Sequence, residues 1–337
     1  MVWDKARMVD EVGAIAEQLH CNAITVYGSD LTRLAETAAA AAERGLHVWL
    51  QPRLLDRPQQ EILDHLAEAA RVAERLREQG ASIAVMAGSE HLVVTPGIVP
   101  GEAYHERLAN LFPDVAHNFL VPTGTIDMAE ANKRLNEFLG SVVRVVREQF
   151  GGPVTYSAPP FEDVDWSQFD FIALAYLYSY HPTRQGYVDE LTAYHSWELP
   201  ILVAEFGTAS YAGAVERGIM CFDVVDRAKP QPTVLDGYVR DERVQADFYL
   251  RMLETFEQAG VVGVSPFEFI HPTHPHSDDP AFDLDIASTS IVKTIRDRYD
   301  DPASGYHWEP KESFRAIAEY YAAARTRETE PTKGSGR

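Results

Sequence analysis

The feature that most constrains the fold is a repeated pattern: short apolar runs alternate with longer amphipathic stretches along nearly the whole chain. A short, continuous apolar run reads as a strand buried on both faces, and the amphipathic stretch after it reads as the helix that covers it. The runs are Ala23–Tyr27, Leu46–Leu50, Ile83–Ala87, Pro153–Tyr156, Phe171–Tyr178, Ile201–Ala204 and Val261–Phe267. Helical spacing is read at about residues 4–19, 31–44, 58–79, 103–111, 128–150, 186–197, 241–259 and 311–324. Gly45 and Gly80 stand where left-handed helix caps belong. Repeated βα units imply a parallel sheet, and over this length a closed barrel fits better than a doubly wound sheet. The first βα turn, Gly28-Ser29-Asp30, also lacks the GxGxxG of a dinucleotide-binding fold.

The expected fold class is therefore a (β/α)8 TIM-type barrel, one domain over residues 1–324, followed by a disordered polar tail, 325–337. Only seven strands are readable, and the chain opens on a helix. A closed barrel needs one more strand between the Ala23 and Val261 runs, or two parallel edges stand open. The expectation is that this first strand lies upstream of Met1. The start therefore says little about localisation. With two cysteines, Cys21 and Cys221, and no signal-peptide pattern, a cytoplasmic setting is the default.

Charge narrows the partners. A formal net charge of −21 repels phosphate backbones and anionic lipid, which argues against nucleic acid. No apolar run approaches the roughly 20 residues of a membrane span.

Two of the strands end in an unexpected way. Pro200-Ile201-Leu202-Val203-Ala204 runs directly into Glu205, and Gly207 then frees the backbone to turn. Ile83–Ala87 leads through Gly88 and Ser89 to Glu90. In a parallel barrel the C-terminal strand ends are where side chains meet substrate. Two glutamates at one mouth, about 5–5.5 Å apart, supply the acid and the nucleophile for splitting a glycosidic bond. The competing reading of Glu205 is a strand-end carboxylate paired with a nearby arginine.

Other candidates carry two readings each. Tyr27, Gln51 and Arg53 at strand ends either bind substrate hydroxyls or are structural loop residues. His181 follows a tyrosine-rich run and is a candidate for lining the site. His271, His274 and His276, with Asp278, Asp279 and Asp283, have a spacing that permits metal ligation. Pro272 and Pro275 favour a solvated or substrate-lining loop instead, so no metal or other cofactor is assigned. A metal there would make a metal-dependent hydrolase the competing enzyme class. Glu268 points either outward or to the sugar. Two long excursions, about 91–127 and 208–240, leave from the mouth and form its walls or lids. Their aromatic and histidine residues, among them Tyr104, Phe112, His117, Tyr211 and Tyr238, line the pocket or form a minor core.

If the absent strand is counted first, Glu90 closes the fourth strand and Glu205 the seventh. That placement resembles the clan of retaining glycoside hydrolases with an acid/base on strand four and a nucleophile on strand seven. Val164–Asp170 resembles the clan's lead-in to the sixth strand, and Tyr176, Tyr178 and Tyr180 lie where a tyrosine contacts the nucleophile. Asp283–Ser288 through Trp308–Lys311 is similar to uncharacterised bacterial barrel proteins, some labelled abortive infection proteins. The resemblance implies Glu90 as acid/base, Glu205 as nucleophile and a carbohydrate substrate. Two departures stand out: Ser89 where the clan has an asparagine that binds the sugar 2-hydroxyl, and Phe267 where it has a tryptophan platform. Phenylalanine keeps the stacking face and loses the indole N–H. The reading from a different functional class is a catalytically silent carbohydrate-binding barrel.

Overall fold

The computed structural model describes residues 3–113, 122–176, 181 and 183–329. Its seven expected runs are seven strands: β1 (Ala23–Gly28), β2 (His47–Pro52), β3 (Ile83–Ser89), β4 (Val154–Ala158), β5 (Ile172–Tyr176), β6 (Ile201–Phe206) and β7 (Gly263–Pro266). They form one sheet in sequence order, and every neighbouring pair is parallel. Parallel neighbours need a crossover; helices Leu31–Glu43, Gln59–Glu78, Met128–Arg147, Arg184–Ala193 and Glu242–Gln258 supply five of the six, and between β4 and β5 a loop with the short 3-10 helix Trp166–Gln168 serves instead. Side chains of Asp30, Asp127, Thr183 and Asp241 accept the first free amides of four of these helices, which fixes where each begins. Gly45 and Gly80 close two of them at φ 75° and 96°.

The runs lack polar alternation because both sheet faces are buried. Val48, Leu50, Val85, Val154, Ile201 and Val203 pack outward in the main core. Met86, Ala173, Leu202 and Ala204 form a separate inner cluster with Trp49 and Phe171, filling the barrel.

The sheet nearly closes. Among the described residues no backbone ladder joins β1 to β7. Side chains cross the seam instead: Thr25 Oγ1 lies 3.3 Å from Ser265 Oγ, and Tyr27 reaches Glu268. A cavity of about 710 Å³ follows the seam from Cys21 and Tyr321 to Gln51, Glu205 and Phe267.

Several expectations change. The last helix runs Glu312–Thr329, past the expected end at residue 324, and the Arg325 guanidinium donates to the Cys21 carbonyl at 2.8 Å. Residues 330–337 of the expected tail lie outside the described residues. The antiparallel pair Val292–Arg296 and Tyr306–Pro310 and the short helix His91–Val94 have no counterpart in the sequence reading. In the second excursion Tyr211, Cys221 and Val224 form a satellite core, with Tyr238 edge-on to Tyr211 at 5.2 Å. In the first, Phe112 is buried against Phe161 at 5.0 Å, and His117 lies outside the described residues. Among the described residues no helix is long and apolar enough to cross a membrane.

Candidate active site

Strand alternation alone would turn Glu205 away from the barrel. Ile201 and Val203 face outward and Leu202 and Ala204 inward, so Glu205 should face outward. The register prevents this. On β5, Leu174 pairs with Val203 but Ala175 pairs with Glu205, so β6 carries one extra residue at Ala204. A bulge of this kind re-aims the side chain beyond it. Glu205 consequently sits in the cavity, 3% exposed, with Oε1 in an ion pair with Arg53 Nη2.

Arg53 belongs to the mouth itself. Its Nη2 also donates to Gln51 Oε1 at 2.9 Å, and its guanidinium lies 4.8 Å over the Tyr27 ring. Gln51 is fully buried and held by Met86 Sδ at 3.1 Å. The arginine partner of Glu205 is thus Arg53, itself one of the candidate residues at the strand ends.

The charge of the same guanidinium also acts on Glu90. Burial raises its carboxyl above the ordinary range, and the positive charge of Arg53 opposes that rise. Burial likewise lowers Arg53, with Glu90 the leading charge acting against it. The Glu90 backbone is left-handed, at φ 54° and ψ 39°, which costs a non-glycine residue roughly 1–2 kcal/mol. β3 loses register with β4 between Met86 and Ser89, where Gly88 takes φ 90°.

A third carboxyl stands near Arg53. Glu268 points inward: Oε2 accepts from the Tyr27 hydroxyl and Oε1 contacts His271 Nδ1. Burial, with the Glu268 charge beside it, raises the Tyr27 phenol. Phe267 lies 5.8 Å from the Tyr27 ring, and its carbonyl accepts from the Tyr249 hydroxyl at 3.0 Å. Buried Ser89 Oγ, Ser157 Oγ and Arg53 Nε have no hydrogen-bond partner among the described residues.

Comparison with known proteins points one way. No protein-family profile matches the chain, and no curated protein matches it by sequence. Solved structures do. A GH113 β-1,4-mannanase complex superposes with a TM-score of 0.59 at 14% identity, covering 94% of this chain and 93% of its own. The GH113 β-mannanase AaManA from Alicyclobacillus acidocaldarius gives 0.56 at 16%, covering 95% and 92%. A family 1 β-glucosidase from Thermotoga maritima gives 0.55 at 11%, covering 95% and 86%. The likeness is one of fold. These structures lend no support to the abortive-infection label.

The expected residues divide accordingly. Glu205, Arg53, Gln51, Tyr27, Glu268, His271 and Phe267 form one connected mouth, with Glu90 under the charge of Arg53 and Ser89 at its β3 side. His181 is engaged elsewhere, 2.5 Å from Glu190 and edge-on to Tyr187. Tyr178 and Tyr180 lie outside the described residues. The histidine loop is divided among other partners: His271 with Glu268, His274 with Arg227 at 3.1 Å, His276 with Asp283 at 2.8 Å. Among the described residues no group of three or more His, Cys, Asp or Glu side chains is placed to hold a metal. Sequence reasoning missed Glu162, a buried carboxyl beneath the Glu90 turn; its only sequence signal is an acidic residue between Phe161 and Val164.

Proposed function

We propose that the protein is a glycoside hydrolase acting on β-glycosides by the retaining two-step route, with Glu205 as nucleophile and Glu90 as acid/base. One observation carries the reading: two glutamates at the ends of β3 and β6 both come under the charge of Arg53, in different settings. Glu205 is in an ion pair with Arg53, while the Glu90 carboxyl is raised by burial and makes no hydrogen bond among the described residues. Pairs of carboxyls whose surroundings differ in this way divide acid and nucleophile roles.

In the first step the Glu205 carboxylate bonds to the anomeric carbon, the bond to the departing oxygen breaks, and Glu90 gives that oxygen its proton. In the second, Glu90 takes a proton from water as the water displaces Glu205. Arg53 holds Glu205 as a carboxylate through Oε1, which leaves Oε2 to bond. Tyr27, Gln51 and Glu268 offer polar atoms to the sugar, and Phe267 offers a ring face. Sugar hydroxyls would satisfy the unpaired atoms of Ser89, Ser157 and Arg53. The likeness to a β-mannanase and a β-glucosidase favours the β configuration.

Hydrolysis of a panel of aryl and alkyl β-glycosides tests this. Glu205→Gln is expected to abolish turnover while retaining sugar binding. Glu90→Gln is expected to lose on the order of 10²–10⁴-fold on substrates with poor leaving groups. Sugar binding by the wild type with no turnover on any member would instead make the barrel a carbohydrate-binding protein.

A further inference from the structure

Beneath the Glu90 turn lies a carboxyl that the mechanism above does not use. Glu162, in the loop after β4, is 6% exposed. Among the described residues its partners are neutral: Oε2 accepts from the Tyr156 hydroxyl at 2.6 Å and Oε1 from the Leu92 amide at 2.8 Å. The Tyr156 oxygen in turn accepts from the His91 amide at 2.6 Å. One carboxyl thus gathers, directly or through a phenol, the two amides that follow Glu90. Those amides open the helix His91–Val94 and have no acceptor within it.

The rest of the turn is fixed around that anchor. Glu90 keeps a left-handed conformation that only glycine adopts freely. The His91 ring is held between the Ala87 carbonyl at 3.2 Å and Thr95 Oγ1 at 2.8 Å, stacked 5.3 Å from Tyr156. Burial keeps that ring neutral by lowering it to about 4.

We propose that Glu162, acting through Tyr156 and the Leu92 amide, is the positioning residue that holds the Glu90 turn and keeps the Glu90 carboxyl at the mouth. The inference rests on Glu90 being the acid/base. The titratable groups around Glu90 are Arg53 at the end of β2, Tyr104 from helix Tyr104–Leu111, Tyr156 and Glu162 from the β4 side, and Glu205 across Arg53. Burial pushes Glu162 up to about 8, against the hydrogen bonds from Tyr156 and Leu92 that favour its carboxylate.

Glu162→Gln turns an amide N–H2 toward the Leu92 N–H or the Tyr156 hydroxyl. The first readout needs no substrate: the Glu90 carboxyl titration by ¹³C NMR, assigned with Glu90→Gln. Opening the turn to water is expected to bring the Glu90 pKa down by about one unit or more, toward the ordinary range. Tyr156→Phe keeps the carboxyl and cuts the relay, and is expected to give a smaller shift of the same sign. It decides alone should Glu162→Gln not fold. An unchanged Glu90 titration in a folded variant overturns the proposal.

The second readout is the leaving-group dependence of kcat. Glu162→Gln is expected to lose at least about tenfold more on alkyl glycosides than on dinitrophenyl glycosides, which need little acid assistance. Equal losses on both would mean a general structural role and overturn it. A wild type that hydrolyses neither class would sink the functional reading, and the titration would still decide the anchor.

Discussion

At Gly207 an added Cβ would sit 2.4 Å from the Phe267 carbonyl oxygen and 2.8 Å from the Tyr249 hydroxyl. Its backbone is not left-handed, so the expected freedom to turn is not what the position uses; space is. Gly207→Ala is predicted to push Phe267 and Glu268 out of place and to destabilise the fold by about 1–3 kcal/mol, read by urea denaturation. A loss near zero would mean that β7 yields freely. The residue types of the mouth were legible in the sequence: Glu90, Glu205, Arg53, Gln51 and Tyr27 all stand at strand ends. The inward aim of Glu268 was not, because it depends on Tyr27 and His271, at the far end of the chain and in a loop. Glu162 was missed for a related reason. Nothing local marks a carboxyl that serves amides 70 residues away.

Among the elements, β6 shows why a correct strand was not enough. Its apolar run located it, but the extra residue at Ala204 that turns Glu205 inward exists only in register with β5. Alternation is a property of one strand; a bulge is a property of two. The segment Asp283–Ser288 and Lys311, read first as a family signature, has a structural use of its own. Lys311 and Asp285 are fully buried and paired at 2.8 Å, with Ser210, Ser288 and Ser290 hydroxyls each 3.4 Å from the ammonium. Arg240 bridges Asp285 to Asp283 and Glu242, joining the helix Glu242–Gln258 to this loop. Lys311→Met removes one member of a buried pair and is predicted to cost roughly 3–5 kcal/mol in denaturant unfolding. An unchanged midpoint would show that Arg240 alone neutralises Asp285.

At the scale of the whole molecule, seven of the expected strands are present in the expected order, and the mouth lies where parallel strands end. The barrel was legible because β3, β4 and β6 are buried along their whole length and so read as unbroken apolar runs, while β1 and β7 at the seam are mostly half-buried. The seam between β1 and β7 is bridged by side chains rather than amides. Buried titratable groups set the pH range of the fold. Burial raises Glu11 to about 7 and Glu162 to about 8, each opposed by a tyrosine hydrogen bond. Their contribution is complete below the ordinary glutamate pKa and is lost as pH rises through about 7 to 8. Burial lowers His91 to about 4 and His274 to about 3, so stability is lost as pH falls below the ordinary histidine pKa. Burial works against Asp283, but hydrogen bonds from His276 and Arg240 hold it down to about 2, which adds a further loss in strong acid. The two main trends oppose each other between about pH 4.5 and 6.5. The melting temperature is therefore predicted to peak in that window and to fall above it, with a shallower fall in Glu162→Gln. A melting temperature rising from pH 6.5 to 8.5 would contradict this.

The central claim is that Glu205 forms a bond to the sugar. The measurement that tests it most directly is mass spectrometry of the protein after incubation with 2,4-dinitrophenyl 2-deoxy-2-fluoro-β-glycosides, the gluco and manno forms included. The account predicts a single glycosyl adduct on the peptide carrying Glu205, absent in Glu205→Gln. An adduct on another residue, or hydrolysis of the parent glycosides with inversion and no adduct, would contradict it.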